Sequence, residues 1–224
     1  NELADLAAEA FTGDWSEAWG RPELDAAILG GLICVETLGE AGPRPLNRDL
    51  PSLILGGLKE SDLATQAASI EETAAAIKQL EALTGRPLRD VPFDDAVGKL
   101  QDLPDDRARI AYAHLMIRDR CRVACELLDG EIGFDDDRLG ELMDGTHEVM
   151  RDLLDRNHEP LEKLLDTAAE AGAVGCKQLS DPGRFVAFAP GNEETVVEAV
   201  RQAGGHAQSA GIADGVRIEG SRPA

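Results

Sequence analysis

The strongest constraint on the fold is a change of hydrophobic periodicity along the chain. From residue 61 to 172 apolar residues recur every three or four positions, which predicts a block of amphipathic helices. After residue 183 the pattern changes to two short strand-like segments, 184–189 and 215–219, with a helical segment between them. A helical block that leads into a β-α-β tail predicts an α+β fold rather than a parallel doubly wound sheet.

The clearest predicted helix follows three consecutive acidic residues, Asp135–Asp137. The helix macrodipole favours negative charge at a helix N-terminus, so the triplet indicates a cap rather than a metal site. His147 flanks the apolar stripe of this helix, and we expect it to hydrogen-bond within the core. The stripe consists of Leu139, Leu142, Met143, Val149, Met150, Leu153 and Leu154.

Composition excludes several classes of function. The 224 residues carry a formal net charge of -21 and no basic run, whereas nucleic acids and anionic membranes are bound through clustered Lys and Arg. No stretch approaches the roughly 20 apolar residues of a membrane span. Four scattered cysteines make no disulfide framework and predict buried thiols in a reducing cytosol. We therefore expect a cytoplasmic protein that binds neither nucleic acid nor membrane.

Five segments, in order along the chain, carry a resemblance to a known family. Leu139–Asp152 resembles the galactokinase stretch G-x-L-M-x-x-S-H-x-S-L-R-D. Pro160–Leu165 resembles P-E-L-D-x-L-V, and Ala171–Lys177 resembles G-A-x-G-A-[KR]. Leu88–Val91 and Arg107–Arg109 resemble L-R-D-V and R-A-R. Together these segments are similar to the GHMP kinase superfamily, and most of all to its galactokinase-like branch.

The resemblance implies a helical block with a ferredoxin-like C-terminal domain. On this basis residues 1–58 are predicted to be a remnant of the N-terminal GHMP domain and residues 59–224 its C-terminal-like domain. Pro22–Gly31 looks like the region of homoserine kinases that contains the catalytic acid and the sequence A-I-L-G-G. The first phosphate-binding loop would then precede Asn1, and we expect the natural protein to continue upstream.

The family's activity is ATP- and Mg-dependent phosphorylation of a sugar or another small hydroxylated metabolite. Carried over to this chain, the resemblance implies Asp25 or Glu23 as the catalytic acid. It also implies Gly175, Ser180 and Gly183 as cofactor-binding residues, and no metal ligand.

Two segments depart from the family pattern. Where the family has the glycine-rich G-A-K-x-[ST]-G-x-G-x-G-G, this chain has Asp181 and Pro182, which add a negative charge and remove an N–H donor. Where galactokinases have Y-N-x-R-R beside the sugar, this chain has Ala64–Ser69, so galactose is not implied as the substrate. These departures leave a second function open, a noncatalytic binding or regulatory protein. Two assemblies are left open: a dimer, or a complex with a partner chain that supplies the N-terminal part.

Overall fold

The computed structural model describes residues 29–34, 43–59, 67–179 and 183–213. The chain divides into two compact units, one formed by Asn1–Leu50 with Gly211–Ala224 and the other by Pro51–Ala210. In the first unit, strand β1 (Ile33–Cys34) pairs antiparallel with strand β2 (Arg44–Pro45).

The second unit contains an antiparallel sheet of four strands in the order β4-β5-β3-β6. Because β3 is antiparallel to both β5 and β6, these two strands run parallel to each other and are joined through a helix. Strands β3 and β4 are also parallel to each other, because both are antiparallel to β5, and helices connect them. This double split β-α-β arrangement is the ferredoxin-like one, so the predicted fold class is confirmed. The strands are β3 (Leu53–Gly57), β4 (Gly175–Gln178), β5 (Arg184–Phe188) and β6 (His206–Ala210).

In the described part of the chain, five helices lie between β3 and β4, and a sixth lies between β5 and β6. The predicted helical block is therefore confirmed over its described part. A short 3₁₀ turn, Leu88–Asp90, separates the first two helices. The helices are α1 (Ala67–Thr84), α2 (Phe93–Leu100), α3 (Asp105–Asp129), α4 (Asp136–Leu153), α5 (Glu159–Glu170) and α6 (Glu193–Gln202).

The helix ends follow from local chemistry. Gly130 caps α3 with φ of 81°, a left-handed conformation that costs glycine little. The Asp135 carboxylate accepts hydrogen bonds from the backbone amides of Asp137, at 3.0 Å, and Arg138, at 3.3 Å. The predicted acidic cap of α4 is thus confirmed, with Asp135 as its N-cap residue.

Two hydrophobic cores stabilise the second unit. One lies between the sheet and helices α5 and α6, with Phe185, Ile54 and Leu161 fully buried at its centre. The other is formed by helices α1, α2 and α3 around Leu80 and Leu115. Helix α4 packs against α3 on one side and against β4 on the other.

The structure differs from the sequence-based expectations in two strands. Residues 175–178, expected to belong to a glycine-rich loop, form β4, and His206–Ala210 forms a strand that the sequence pattern did not predict. The predicted strand 215–219 lies outside the described residues. Leu53–Gly57, assigned to the N-terminal remnant, pairs with β5 and β6 at the centre of the sheet. That pairing is nonlocal, so the local pattern does not contain it. The descent of residues 1–58 from an N-terminal domain stays a prediction.

Candidate functional site

The candidate site is the end of the sheet where β4 turns back into β5. Of the five residues predicted for the site, Asp25, Glu23 and Ser180 lie outside the described residues. Gly175 begins β4, and Gly183 directly precedes β5. The hairpin therefore separates the two described glycines, with Gly175 at its far end and Gly183 in its turn.

Gly175 lies against a helix. A Cβ added at Gly175 would overlap the Cα of Gly140 on α4, and a Cβ added at Gly140 would overlap the backbone carbonyl of Val174. The two glycines therefore let α4 approach β4 at backbone distance. This packing accounts for the glycine at position 175, whereas a contact between Gly175 and a cofactor stays a prediction.

Gly183 holds the turn against the end of β3. Its φ of 83° is one that glycine adopts without strain, and its carbonyl accepts a hydrogen bond of 2.8 Å from the Leu58 amide. The same carbonyl occupies the space that a side chain at Gly57 would need. Two glycines thus allow the turn and the end of β3 to pack closely.

Two nitrogen-bearing side chains meet across Gly57. Arg184 on β5 and His206 on β6 are both registered with this glycine, and Arg184 Nη1 lies 2.5 Å from His206 Nε2. Because Arg184 is always protonated, His206 accepts this hydrogen bond in its neutral form. A guanidinium and an imidazole beside a glycine turn are groups that suit a ligand with negative charge.

Helix α4 covers the outer edge of β4, the edge strand of the sheet. Asp144 accepts a hydrogen bond of 2.6 Å from the Cys176 amide, and His147 Nδ1 lies 3.5 Å from the Gln178 amide. On the opposite side of the ring, His147 Nε2 lies 3.0 Å from the Glu162 carboxylate of α5. This arrangement places the imidazole proton on Nε2. The expectation that His147 hydrogen-bonds within the core is confirmed.

Burial shifts the pKa of two groups at this edge. Partial burial raises the pKa of Asp144; the Cys176 amide opposes that shift, and the charge of Glu148 adds to it. Burial also raises the pKa of the Cys176 thiol to about 12, and the neighbouring Asp144 carboxylate adds to that shift. Cys176 is therefore a neutral thiol at physiological pH, as expected for a buried structural cysteine. The expectation of buried cysteines is wrong for Cys121, which is exposed.

The described residues also contain buried polar atoms without a protein partner. Glu162 Oε1 and Gln178 Nε2 have none, although both residues contact His147 through other atoms. His114 Nε2 on α3 has none either. Burial lowers the pKa of His114 and the nearby Arg156 adds to that shift, which keeps the ring neutral.

Two features are absent from the described residues. No group of three or more His, Cys, Asp or Glu side chains is arranged there to hold a metal ion. Among the described helices, none has the length and apolar content needed to cross a bilayer.

Comparison with solved structures identifies the fold. A galactokinase from Lactococcus lactis complexed with galactose superposes with a TM-score of 0.71 over 88% of this chain, at 17% sequence identity. Mevalonate kinase from L. major in complex with R-mevalonate gives 0.56 over 88% of this chain, at 19% identity. Homoserine kinase from Cytophaga hutchinsonii gives 0.55 over 96%, at 13% identity. The chain has the GHMP-kinase fold.

The similarity lies in the fold and not in the sequence as a whole. No family model matches the chain, and no curated protein matches it either. The chain spans 55% of the galactokinase, 51% of the mevalonate kinase and 60% of the homoserine kinase. The resemblance predicted from the five motifs is confirmed at the level of a GHMP superfamily fold.

Within the GHMP-kinase fold, two of the motifs touch each other. Gly140 opens the galactokinase-like segment of α4, and Gly175 belongs to the segment that resembles G-A-x-G-A-[KR]. Sequence reasoning quoted both motifs without predicting this contact. It also did not single out Asp144, Arg184 or His206 as site residues, because strand register and helix docking bring them to the site.

Proposed function

We propose that the protein is a diverged galactokinase-like member of the GHMP type. Its ancestral activity was the ATP- and Mg-dependent phosphorylation of a sugar or another small hydroxylated metabolite. The observation that carries this proposal is the contact between Gly140 and Gly175 within a fold that superposes on a galactokinase. The motifs behind the resemblance are adjacent in space, as expected of a shared ancestral core rather than of chance matches.

In this proposal the site residues have the roles that the family resemblance gives them. Asp25 or Glu23 orients or deprotonates the acceptor hydroxyl, and Gly175, Ser180 and Gly183 lie beside the phosphates. If the protein is catalytically active, ATP and Mg are its cofactors; if it is not, it needs none. The cytoplasm is its proposed location and carbohydrate metabolism its proposed setting. A dimer or a partner chain completes the site if this chain does not complete it alone.

The experiment is a thermal melt of the purified chain with small hydroxylated metabolites, namely galactose, R-mevalonate and L-homoserine. A ligand that binds only the native state raises the melting temperature in a saturable way. We expect a saturable rise with at least one of the three. If none of them shifts the melting temperature, the proposal of a metabolite site is wrong.

A phosphoryl-transfer assay with Mg-ATP then tests the catalytic part. If the chain transfers phosphate, Asp25→Asn or Glu23→Gln should abolish transfer and leave the melting temperature unchanged. The matched control is Lys163→Gln, which changes an exposed residue on α5 whose ammonium pairs with Glu159 at 2.7 Å.

A noncatalytic binding or regulatory protein is the second candidate, and one feature favours it. Asp181 and Pro182 occupy sequence positions where the family motif has glycines, so this segment gains a carboxylate and loses an amide donor. Both changes disfavour a triphosphate. A binding protein would keep the saturable melting shift with a metabolite and show no phosphoryl transfer.

A further inference from the structure

A groove of about 720 Å³ lies between the start of α2, the middle of α3 and the first part of α4. This volume falls within the roughly 300–1,000 Å³ of small-molecule sites. The groove is lined by both charged and apolar side chains and contains none of the residues predicted for the kinase site. The groove is therefore distinct from the predicted kinase site.

One part of the groove is apolar. Phe93, Met116, Val123 and Leu142 contribute to its lining, one from α2, two from α3 and one from α4. Leu142 is buried, and the Phe93 ring is held by a tilted contact with Tyr112 at a centroid distance of 6.0 Å. These side chains offer a preformed surface to an aliphatic group.

One cation in the groove is available to a ligand. The Arg120 side chain crosses Gly145 so closely that a Cβ at Gly145 would lie 2.9 Å from Arg120 Nε. The glycine therefore makes room for the guanidinium. Over the described ranges, no carboxylate pairs with Arg120, although it lies among four acidic lining residues on α4 and α3.

Two of these four acids already have partners. Asp119 lies 2.6 Å from Arg118, and Glu141 lies 2.7 Å from Arg138. Their charges are therefore neutralised by neighbouring arginines, which leaves Asp144 and Glu148 as the acids that face the groove without such pairing among the described residues.

Asp144 and Glu148 are one helical turn apart on α4, so their carboxylates repel each other. One oxygen of the Asp144 carboxylate accepts a hydrogen bond from the Cys176 amide, which leaves the other oxygen for a ligand. Partial burial raises the pKa of Asp144, and the charge of Glu148 contributes to that shift. A cationic group between the two carboxylates would relieve this repulsion.

We propose that this groove binds an α-amino acid with an apolar side chain. Arg120 takes the carboxylate of the ligand, and Glu148 with Asp144 takes its ammonium group. Phe93, Met116 and Leu142 contact the aliphatic side chain. Gly145, which lies under Arg120, is three residues from Glu148, and residues at that spacing are about 5–6 Å apart on a helix. That distance suits the adjacent carboxylate and ammonium of an amino acid. The inference is independent of the proposed kinase ancestry.

The test uses L-leucine and two analogues that each lack one charged group, isopentylamine and isocaproate. Calorimetric titration of the full chain should show saturable binding of L-leucine. Each analogue should bind at least about tenfold more weakly, because one charge-assisted contact is lost. Absence of saturable L-leucine binding would overturn the proposal, as would equal binding of all three compounds.

Variants assign the contacts. Arg120→Gln should weaken L-leucine binding at least about tenfold and leave isopentylamine binding unchanged, whereas Glu148→Gln should weaken both. Lys163→Gln removes one positive charge, as Arg120→Gln does, but outside the groove. It should change the binding of neither L-leucine nor isopentylamine, and it controls for the net charge of the chain. Gly145→Ala, which displaces the guanidinium, should reproduce the loss seen for Arg120→Gln. Circular dichroism verifies that each variant is folded. Unchanged L-leucine affinity in a folded Arg120→Gln variant would contradict the assignment.

Discussion

Asp144 holds the outer edge of the sheet through a single hydrogen bond to the Cys176 amide. Asp144→Ala removes the acceptor and leaves a backbone donor of a buried residue without a partner. We expect the free energy of unfolding to fall by about 1–3 kcal/mol. Asp144→Asn keeps an oxygen at the same position and should cost less. Urea denaturation of both variants measures the difference, and an equal loss in both would contradict this role.

The pH dependence of stability provides a second test at Asp144. Because burial raises the pKa of this carboxyl above its ordinary value of 3.8, the folded chain binds the proton more tightly than the unfolded chain. The free energy of unfolding therefore decreases as the pH rises from 3.8 through the raised pKa, and it is insensitive to this group at higher pH. Asp144→Asn lacks this titration. Its stability relative to the wild type should increase over that window, and a constant difference would show that the pKa is not raised.

Cys176 illustrates how burial sets reactivity. With a thiol pKa of about 12, Cys176 has almost no thiolate near neutral pH, and its side chain is buried. We expect iodoacetamide to label the exposed Cys121 and to leave Cys176 unlabelled in the folded chain. Mass spectrometry of the peptides reports both sites, and labelling in guanidinium is the control. Labelling of Cys176 in the folded chain at the rate of Cys121 would contradict its burial.

At the scale of elements, the glycine contact between α4 and β4 is the feature most sensitive to substitution. Gly140→Ala places a methyl group onto the Val174 carbonyl, so the helix and the strand must separate. We expect a loss of more than about 2 kcal/mol in the free energy of unfolding. Gly98→Ala is the matched control, since a Cβ there meets nothing within 4 Å, and alanine should stabilise α2 by up to about 1 kcal/mol. If the two substitutions had equal effects on the free energy of unfolding, the close contact between α4 and β4 would not contribute to stability as argued.

Substitutions in the core and in the cap of α4 are likewise expected to differ in how much stability they cost. Leu142→Ala truncates a buried side chain and should cost about 2–5 kcal/mol. Asp136→Ala, in the first turn, should cost about 1 kcal/mol or less, since Asp135 supplies the hydrogen bonds of the cap. Thermal melts with and without Mg²⁺ compare the two variants. A Mg²⁺-dependent rise in melting temperature that only Asp136→Ala abolishes would indicate a metal site at the acidic triplet.

Sequence periodicity predicted helices well because a helix is specified by residues three and four positions apart. The stripe from Leu139 to Leu153, the caps at Asp135 and Gly130 and the first-turn Pro160 are all local signals. Strand β4 and strand β6 were not predicted, because Gly175–Gln178 and His206–Ala210 contain few of the residues that favour strands. Their pairing depends on partners far away in the chain.

At the scale of the whole molecule, the same distinction separates the fold from the site. Five short motifs were enough to predict the GHMP-kinase fold, since each motif is a local stretch of sequence. The meeting of Arg184 with His206 across Gly57 depends on the register of three strands, and no local pattern contains that register. The groove around Arg120 likewise requires three helices to be placed together.

The chain has the GHMP-kinase fold, and the central proposal is that its phosphate-binding segment has diverged from the family pattern. Calorimetric titration of the 224-residue chain with Mg-ATP tests the claim most directly. We predict no measurable binding, because Asp181 and Pro182 replace glycines of the family motif and oppose a triphosphate through a negative charge and a missing N–H donor. A micromolar dissociation constant for Mg-ATP would contradict this prediction and would show that Asp181 and Pro182 do not prevent nucleotide binding.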